Sequence, residues 1–95
     1  MRLSAEEAQV IREEVRRSDP AATAILFGSR VNDGGRGGDI DLLVVSDRLG
    51  FRDSLRLKAA ILDRIGWQQL DLLVRPSARL SEPLVAVALA TGVKL

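Results

Sequence analysis

The sequence predicts an α+β (α/β) domain with a small mixed β-sheet of three to four strands flanked by helices. Three observations carry this. Apolar runs at Thr23–Phe27, Asp39–Ser46 and Gln69–Val74 are short and rich in Val, Ile and Leu, as buried strands are. Two longer segments, residues 5–17 and 51–65, repeat their apolar residues at helical spacing. Glycine and proline stand between these segments rather than inside them. The resulting order is α-β-(short α)-β-α-β-α-(short β), as a single domain over residues 1–95.

The first helix begins at Ser4, with Glu7 three residues on, the pattern of a capping box. Ala8, Ile11 and Val15 form its apolar side, and Pro20 marks the stop. Arg12, Arg16 and Arg17 read either as a basic patch or as a solvated helix face, and the solvated face is the simpler account. The strand at Thr23–Phe27 ends in Gly28-Ser29. Arg30–Asn32 is expected to open a single helical turn, and Asp33–Gly38 forms a loop holding four glycines. The strand Asp39–Ser46 is apolar on both faces beyond Asp41, which predicts cover on both sides. In the helix Phe51–Ile65, Phe51, Leu55, Ala59 and Leu62 are expected to share the buried stripe, with Gly66 ending the helix. The strand–helix–strand order around it predicts a right-handed crossover and a parallel pair. The shorter connection from the first strand suits antiparallel pairing. Ser81 is the expected cap of a last helix, Glu82–Ala90, with Pro83 in its first turn. That helix is apolar all round, which predicts burial on more than one side or an interface with a partner or a second copy. Val93–Leu95 is a candidate edge strand.

Composition removes several classes of function. There is no cysteine and no histidine, so disulfides, thiolate chemistry, Cys/His zinc sites and histidine triads are excluded. Any bound metal must be hard and held by oxygen. The net charge of +1 and three aromatic residues argue against nucleic acid, because neither a strong field nor a stacking platform is present. No apolar run approaches the ~18 residues of a membrane span, and the N-terminus does not read as a signal peptide. A cytoplasmic location is therefore expected.

The stretch from Ile25 to Val45 concentrates the chemistry. Side chains alternate along a strand, so Asp39 and Asp41 point to one face with Cα atoms ~6.5–7 Å apart. Asp71 sits near the start of the third strand, and a parallel neighbour ~4.8 Å away brings it to the same face. Three close carboxylates resist ionisation unless a cation lies among them. Mg²⁺ suits such a site, and two ions could flank an in-line phosphoryl displacement. Gly28-Ser29 lets backbone N–H groups and a hydroxyl approach a phosphate, with Arg30 and Arg36 as available cations. Each feature also has a plainer account. Gly-Ser after a strand is commonly a turn, Asp-x-Asp at a strand start is often solvated polarity, and Asp71 could be an edge or ion-paired carboxylate. The glycine loop could be only a hairpin tip. Their combination, with nine residues between Ser29 and Asp39, favours the functional reading.

Gly28-Ser29, nine residues, Asp39-Ile40-Asp41 and a later Asp71 resemble the nucleotidyltransferase superfamily that includes DNA polymerase beta. The wording LFGSR…GDIDLLVV is similar to its smallest members, the minimal nucleotidyltransferases, and the resemblance covers nearly the whole chain. Gly38 stands where many relatives carry a serine before the first aspartate. The resemblance implies Mg²⁺, as two ions, held by Asp39, Asp41 and Asp71, and triphosphate contacts from Gly28 and Ser29, with Arg30 and Arg36 beside them. The implied reaction is transfer of a nucleoside monophosphate, AMP from ATP, to a hydroxyl with release of pyrophosphate. It also implies a partner: minimal members often pair with a small helical HEPN-domain protein as a toxin–antitoxin pair, the nucleotidyltransferase being the antitoxin. The other reading is a non-catalytic antitoxin that neutralises its partner by contact alone.

Overall fold

The computed structural model describes residues 3–28 and 39–95. In chain order the elements are α1 (Ala5–Ser18), β1 (Thr23–Phe27), β2 (Ile40–Val45), α2 (Phe51–Ile65), β3 (Leu70–Arg75), a short 3-10 turn (Ser77–Arg79), α3 (Pro83–Thr91) and β4 (Val93–Lys94). The expected helical turn at Arg30–Asn32 and the glycine loop Asp33–Gly38 lie outside the described residues.

The four strands form one mixed sheet in the order β3-β2-β1-β4. β1 runs antiparallel to β2, with Phe27 opposite Asp41 and Thr23 opposite Val45. β2 and β3 are parallel over six residue pairs, from Ile40–Leu70 to Val45–Arg75. Two residues of β4 extend the other edge beside β1. Both pairings follow the connection lengths, since a parallel neighbour needs the crossover that α2 supplies.

Strand alternation sorts the core into two layers. Ala24, Leu26, Ile40, Leu42, Val44 and Leu70 point to one face and pack against Ala8, Ile11 and Val15 of α1 and Leu57 and Ile61 of α2. Ile25 and Leu43 point to the other face, against Val85 and Ala88 of α3. Fully burying such a side chain contributes roughly 1.5–3 kcal/mol, so the α1/α2 layer holds most of the fold.

Local signals are met where they are backbone chemistry. The Glu7 N–H donates to Ser4 Oγ at 3.0 Å, and the Ser4 N–H donates to Glu7 Oε1 at 3.1 Å, completing the capping box of α1. α1 and α2 are tied across their polar sides by Arg64, whose guanidinium meets Glu14 at 2.9 Å and Glu13 at 2.8 Å. Glu14 is only 4% exposed and also meets Arg17 at 3.3 Å, so its buried charge is paired.

Three expectations are corrected. The buried face of α2 is Leu57 and Ile61; of the expected stripe Phe51, Leu55, Ala59 and Leu62, Leu62 alone packs against that core. Phe51 is 78% exposed, Leu55 52%, and Ala59 is exposed too. The cap of α3 is Glu82 rather than Ser81, and its side chain makes no capping bond; it is drawn instead to Arg75, at 3.1 Å, and Arg79. α3 is buried on one side only, through Val85 and Ala88, while Leu84 and Val87 remain more than half exposed. Among the described residues no helix is long and apolar enough to cross a membrane.

Candidate active site

The site is built on β2 because that strand lies between β1 and β3. Asp41 is its second residue, in register with Phe27 on one side and Asp71 on the other. In-register neighbours share a face, so these side chains lie on the α3 side of the sheet, with Leu43 and Leu73. The predicted parallel register is thus what brings two carboxylates from distant parts of the chain together.

Asp41 and Asp71 stand side by side on neighbouring parallel strands, in register and on the same face. The Asp41 carboxyl is held above the usual carboxylate range. Burial is the largest cause, followed by the charge of Asp71 and then that of Asp39. Asp41 is half-buried; Asp39 and Asp71 are exposed. The amide of Gln69 donates to Asp71 Oδ1 at 3.5 Å, a long contact on the outer side of the pair.

Gly28 ends β1 with φ at +76°, a conformation that disfavours any side chain. A Cβ there would overlap Asp41 Oδ2 and lie 3.0 Å from its Cγ. The turn backbone therefore presses directly on the Asp41 carboxylate, which only glycine allows.

Of the predicted carboxylates, Asp41 and Asp71 are brought in register on one face, and the charges of Asp71 and Asp39 both act on Asp41. Among the described residues no group of three or more acidic side chains is gathered closely enough to hold a metal ion as the side chains stand. Ser29, Arg30 and Arg36 lie outside the described residues. The donor set fits Mg²⁺ in kind: only hard oxygens are present, and Mg²⁺ usually takes one or two carboxylates together with substrate phosphates.

A cleft of about 550 Å³ opens at the carboxylate pair. Phe27, Asp41 and Asp71 form its head, Phe51, Ser54, Leu55 and Lys58 of α2 one wall, and Leu84 of α3 the other. Sequence reasoning did not assign Lys58, Phe51 or Leu84 to the site. A signal existed: residues 51, 54, 55 and 58 recur at helical spacing. It was masked because Phe51 and Leu55 were assigned to the core.

Comparison with known proteins agrees with this geometry. A family model described as a nucleotidyltransferase domain matches residues 8–88, from α1 through most of α3. No curated protein matches the chain. The match spans all the strands that carry the carboxylates and the helices that hold them, and the chain belongs to the nucleotidyltransferase domain family.

Proposed function

We propose that this protein is a Mg²⁺-dependent nucleotidyltransferase that moves AMP from ATP to a hydroxyl of a protein partner. The partner is a small helical protein of the HEPN class, and the chain acts as the antitoxin of the pair. The observation that carries this reading is the in-register Asp41–Asp71 pair beside the close backbone of Gly28. Two carboxylates held side by side at the head of a cleft cost stability unless a cation or proton compensates them.

Asp39, Asp41 and Asp71 would hold the metal, which supplies positive charge to the triphosphate and to the oxygens that enter and leave phosphorus. Gly28 and Ser29 hold the triphosphate through backbone N–H groups and the serine hydroxyl, with Arg30 and Arg36 as neighbouring cations. The acceptor oxygen bonds to the α-phosphorus as the bond to pyrophosphate breaks. Asp71, the more exposed of the paired carboxylates, faces the acceptor and takes its hydroxyl proton.

A second reading is a binding module that neutralises its partner without chemistry. The exposed Phe51, Leu55, Leu84 and Val87 favour it, since they offer apolar contact on two helices. One experiment separates the two. The protein is incubated with Mg²⁺, labelled ATP and the product of the neighbouring gene, beside an Asp39→Asn/Asp41→Asn variant. The enzyme reading expects label on the partner that vanishes in the variant. Neutralisation that survives both substitutions without label supports the binding module and rejects the enzyme.

A further inference from the structure

β3 ends the sheet order β3-β2-β1-β4, so among the described residues no strand lies on its outer side. Its bonds to β2 fall on alternate residues. The Ile40 N–H donates to the Gln69 carbonyl at 2.9 Å and the Ser46 N–H to the Arg75 carbonyl at 3.0 Å. In a parallel ladder the residues between these turn their N–H and C=O groups the other way, so Leu72 and Val74 present theirs to the open edge. Arg75 Nη1 reaches the Val74 carbonyl at 2.8 Å, as a side chain capping an outward group does.

The cleft at the carboxylate pair follows this edge. Leu72 and Leu73 point to opposite faces of the sheet, yet both line it. A second cavity continues past Leu72, Leu73, Val74 and Arg75 to Leu49 and Gly50. A groove touches consecutive strand residues in this way only where it runs along the strand's side. An open, flat strand edge is normally blunted or covered. Here it lies between α2 and α3 and leads to Asp71.

We propose that the acceptor enters as an extended polypeptide segment, added to β3 as a fifth strand that delivers a hydroxyl side chain to Asp71. The proposal rests on the reading of Asp71 as the carboxylate that faces the acceptor. An extended backbone is the complement of the outward N–H and C=O of Leu72 and the outward N–H of Val74, whereas a helix has already used its own. Exposed Phe51, Leu55 and Leu84 receive apolar side chains of the segment. Charge defines it further. Among the described residues Lys58 is the cation lining the cleft, and Asp41 and Asp71 make its head acidic. The segment thus carries a carboxylate to meet Lys58 and none beside its hydroxyl.

The probe is an acetylated, amidated octapeptide, Glu-Val-Thr-Val-Tyr-Val-Thr-Val, with versions N-methylated at odd or at even positions. The expected result is that one methylated set loses binding at least about tenfold while the other keeps it. On binding the unmethylated peptide, the amide protons of Leu72 and Val74 gain protection from exchange, while those of Asp71 and Leu73, already paired with β2, do not change. Lys58→Glu weakens the peptide, and replacing the peptide's glutamate by lysine restores it. The proposal is overturned if the unmethylated peptide does not bind, if both methylated sets behave alike, or if Leu72 and Val74 exchange as before. It is equally overturned if a single-stranded oligonucleotide, and not the peptide, gives that protection. Strand protection without nucleotide transfer would keep the docking edge and reject the transferase reading, so the two fail separately.

Discussion

The backbone of Gly28 lies directly against the carboxylate of Asp41, with no space for a Cβ between them. Two separate constraints meet at this contact, the positive φ and the packing. Gly28→Ala is expected to cost roughly 1–2 kcal/mol from backbone conformation alone and to displace Asp41 as well. Denaturant unfolding would measure the first effect. Loss of Mg²⁺-induced stabilisation would measure the second. A variant as stable as the parent, with its Mg²⁺ response intact, would show that the close approach is dispensable.

The raised pKa of Asp41 sets a direction for the pH dependence of stability. Its ordinary value is 3.8, and burial with the charges of Asp71 and Asp39 raises it in the fold. A group raised on folding contributes its stabilisation below the unfolded pKa and loses it as pH rises through the folded pKa. The metal-free protein is therefore expected to lose stability on going from about pH 4 towards neutrality at this site. Added Mg²⁺ restores it, and Asp41→Asn flattens both effects. Thermal unfolding across that range, with and without Mg²⁺, reads all three.

The corrected face of α2 gives a sharp contrast between neighbours. Leu57 is 1% exposed and Leu55 52%. Leu57→Ala is expected to cost about 2–5 kcal/mol, because it removes a fully buried side chain and leaves a cavity. Leu55→Ala is expected to change stability by no more than about 0.5 kcal/mol. Equal losses in urea unfolding would return Leu55 to the core.

At the other end of β2, Ser46 Oγ donates to Asp19 Oδ2 at 2.6 Å and accepts from the Arg48 and Leu49 N–H groups, both at 3.1 Å. Both residues are buried, and the bond ties the end of α1 to the entry of α2. The Ser46 hydroxyl is the largest cause holding Asp19 below the usual carboxylate range. A pKa lowered on folding adds stability above the unfolded pKa, and that stability is lost as pH falls through the folded value. Ser46→Ala is expected to lower the melting temperature at neutral pH and to move acid unfolding to higher pH. An unchanged acid limb in circular dichroism would assign Asp19's shift to other partners.

The sequence made some of this legible and hid the rest for physical reasons. Strand positions and both pairing directions follow from short apolar runs and the lengths between them, so Asp41 and Asp71 were predicted to share a face and do. The capping box of α1 is local chemistry and reads directly. α2 offers apolar residues at 51, 55, 57, 59, 60, 61, 62 and 65, which cover more than one side. Only the neighbours decide that Leu57 and Ile61 go inside, and helical period alone does not contain them. The Ser46–Asp19 bond spans 27 residues and has no spacing rule behind it. Ser81 was a plausible cap by residue type, but the pull of Arg75 and Arg79 on Glu82 is a tertiary effect.

The parallel register of β2 and β3 has a consequence for how this site can vary. The relative height of Asp41 and Asp71 is set by backbone bonds of the ladder, not by side-chain packing. A slip of one residue would turn every side chain of β3 to the wrong face. The smallest shift that keeps the faces is two residues, or ~6.6 Å, which is too far for the carboxylates to stand side by side. The spacing between them is therefore stepped rather than continuous. Substitutions around the cleft can retune charge and shape, but they cannot slide one carboxylate gradually past the other.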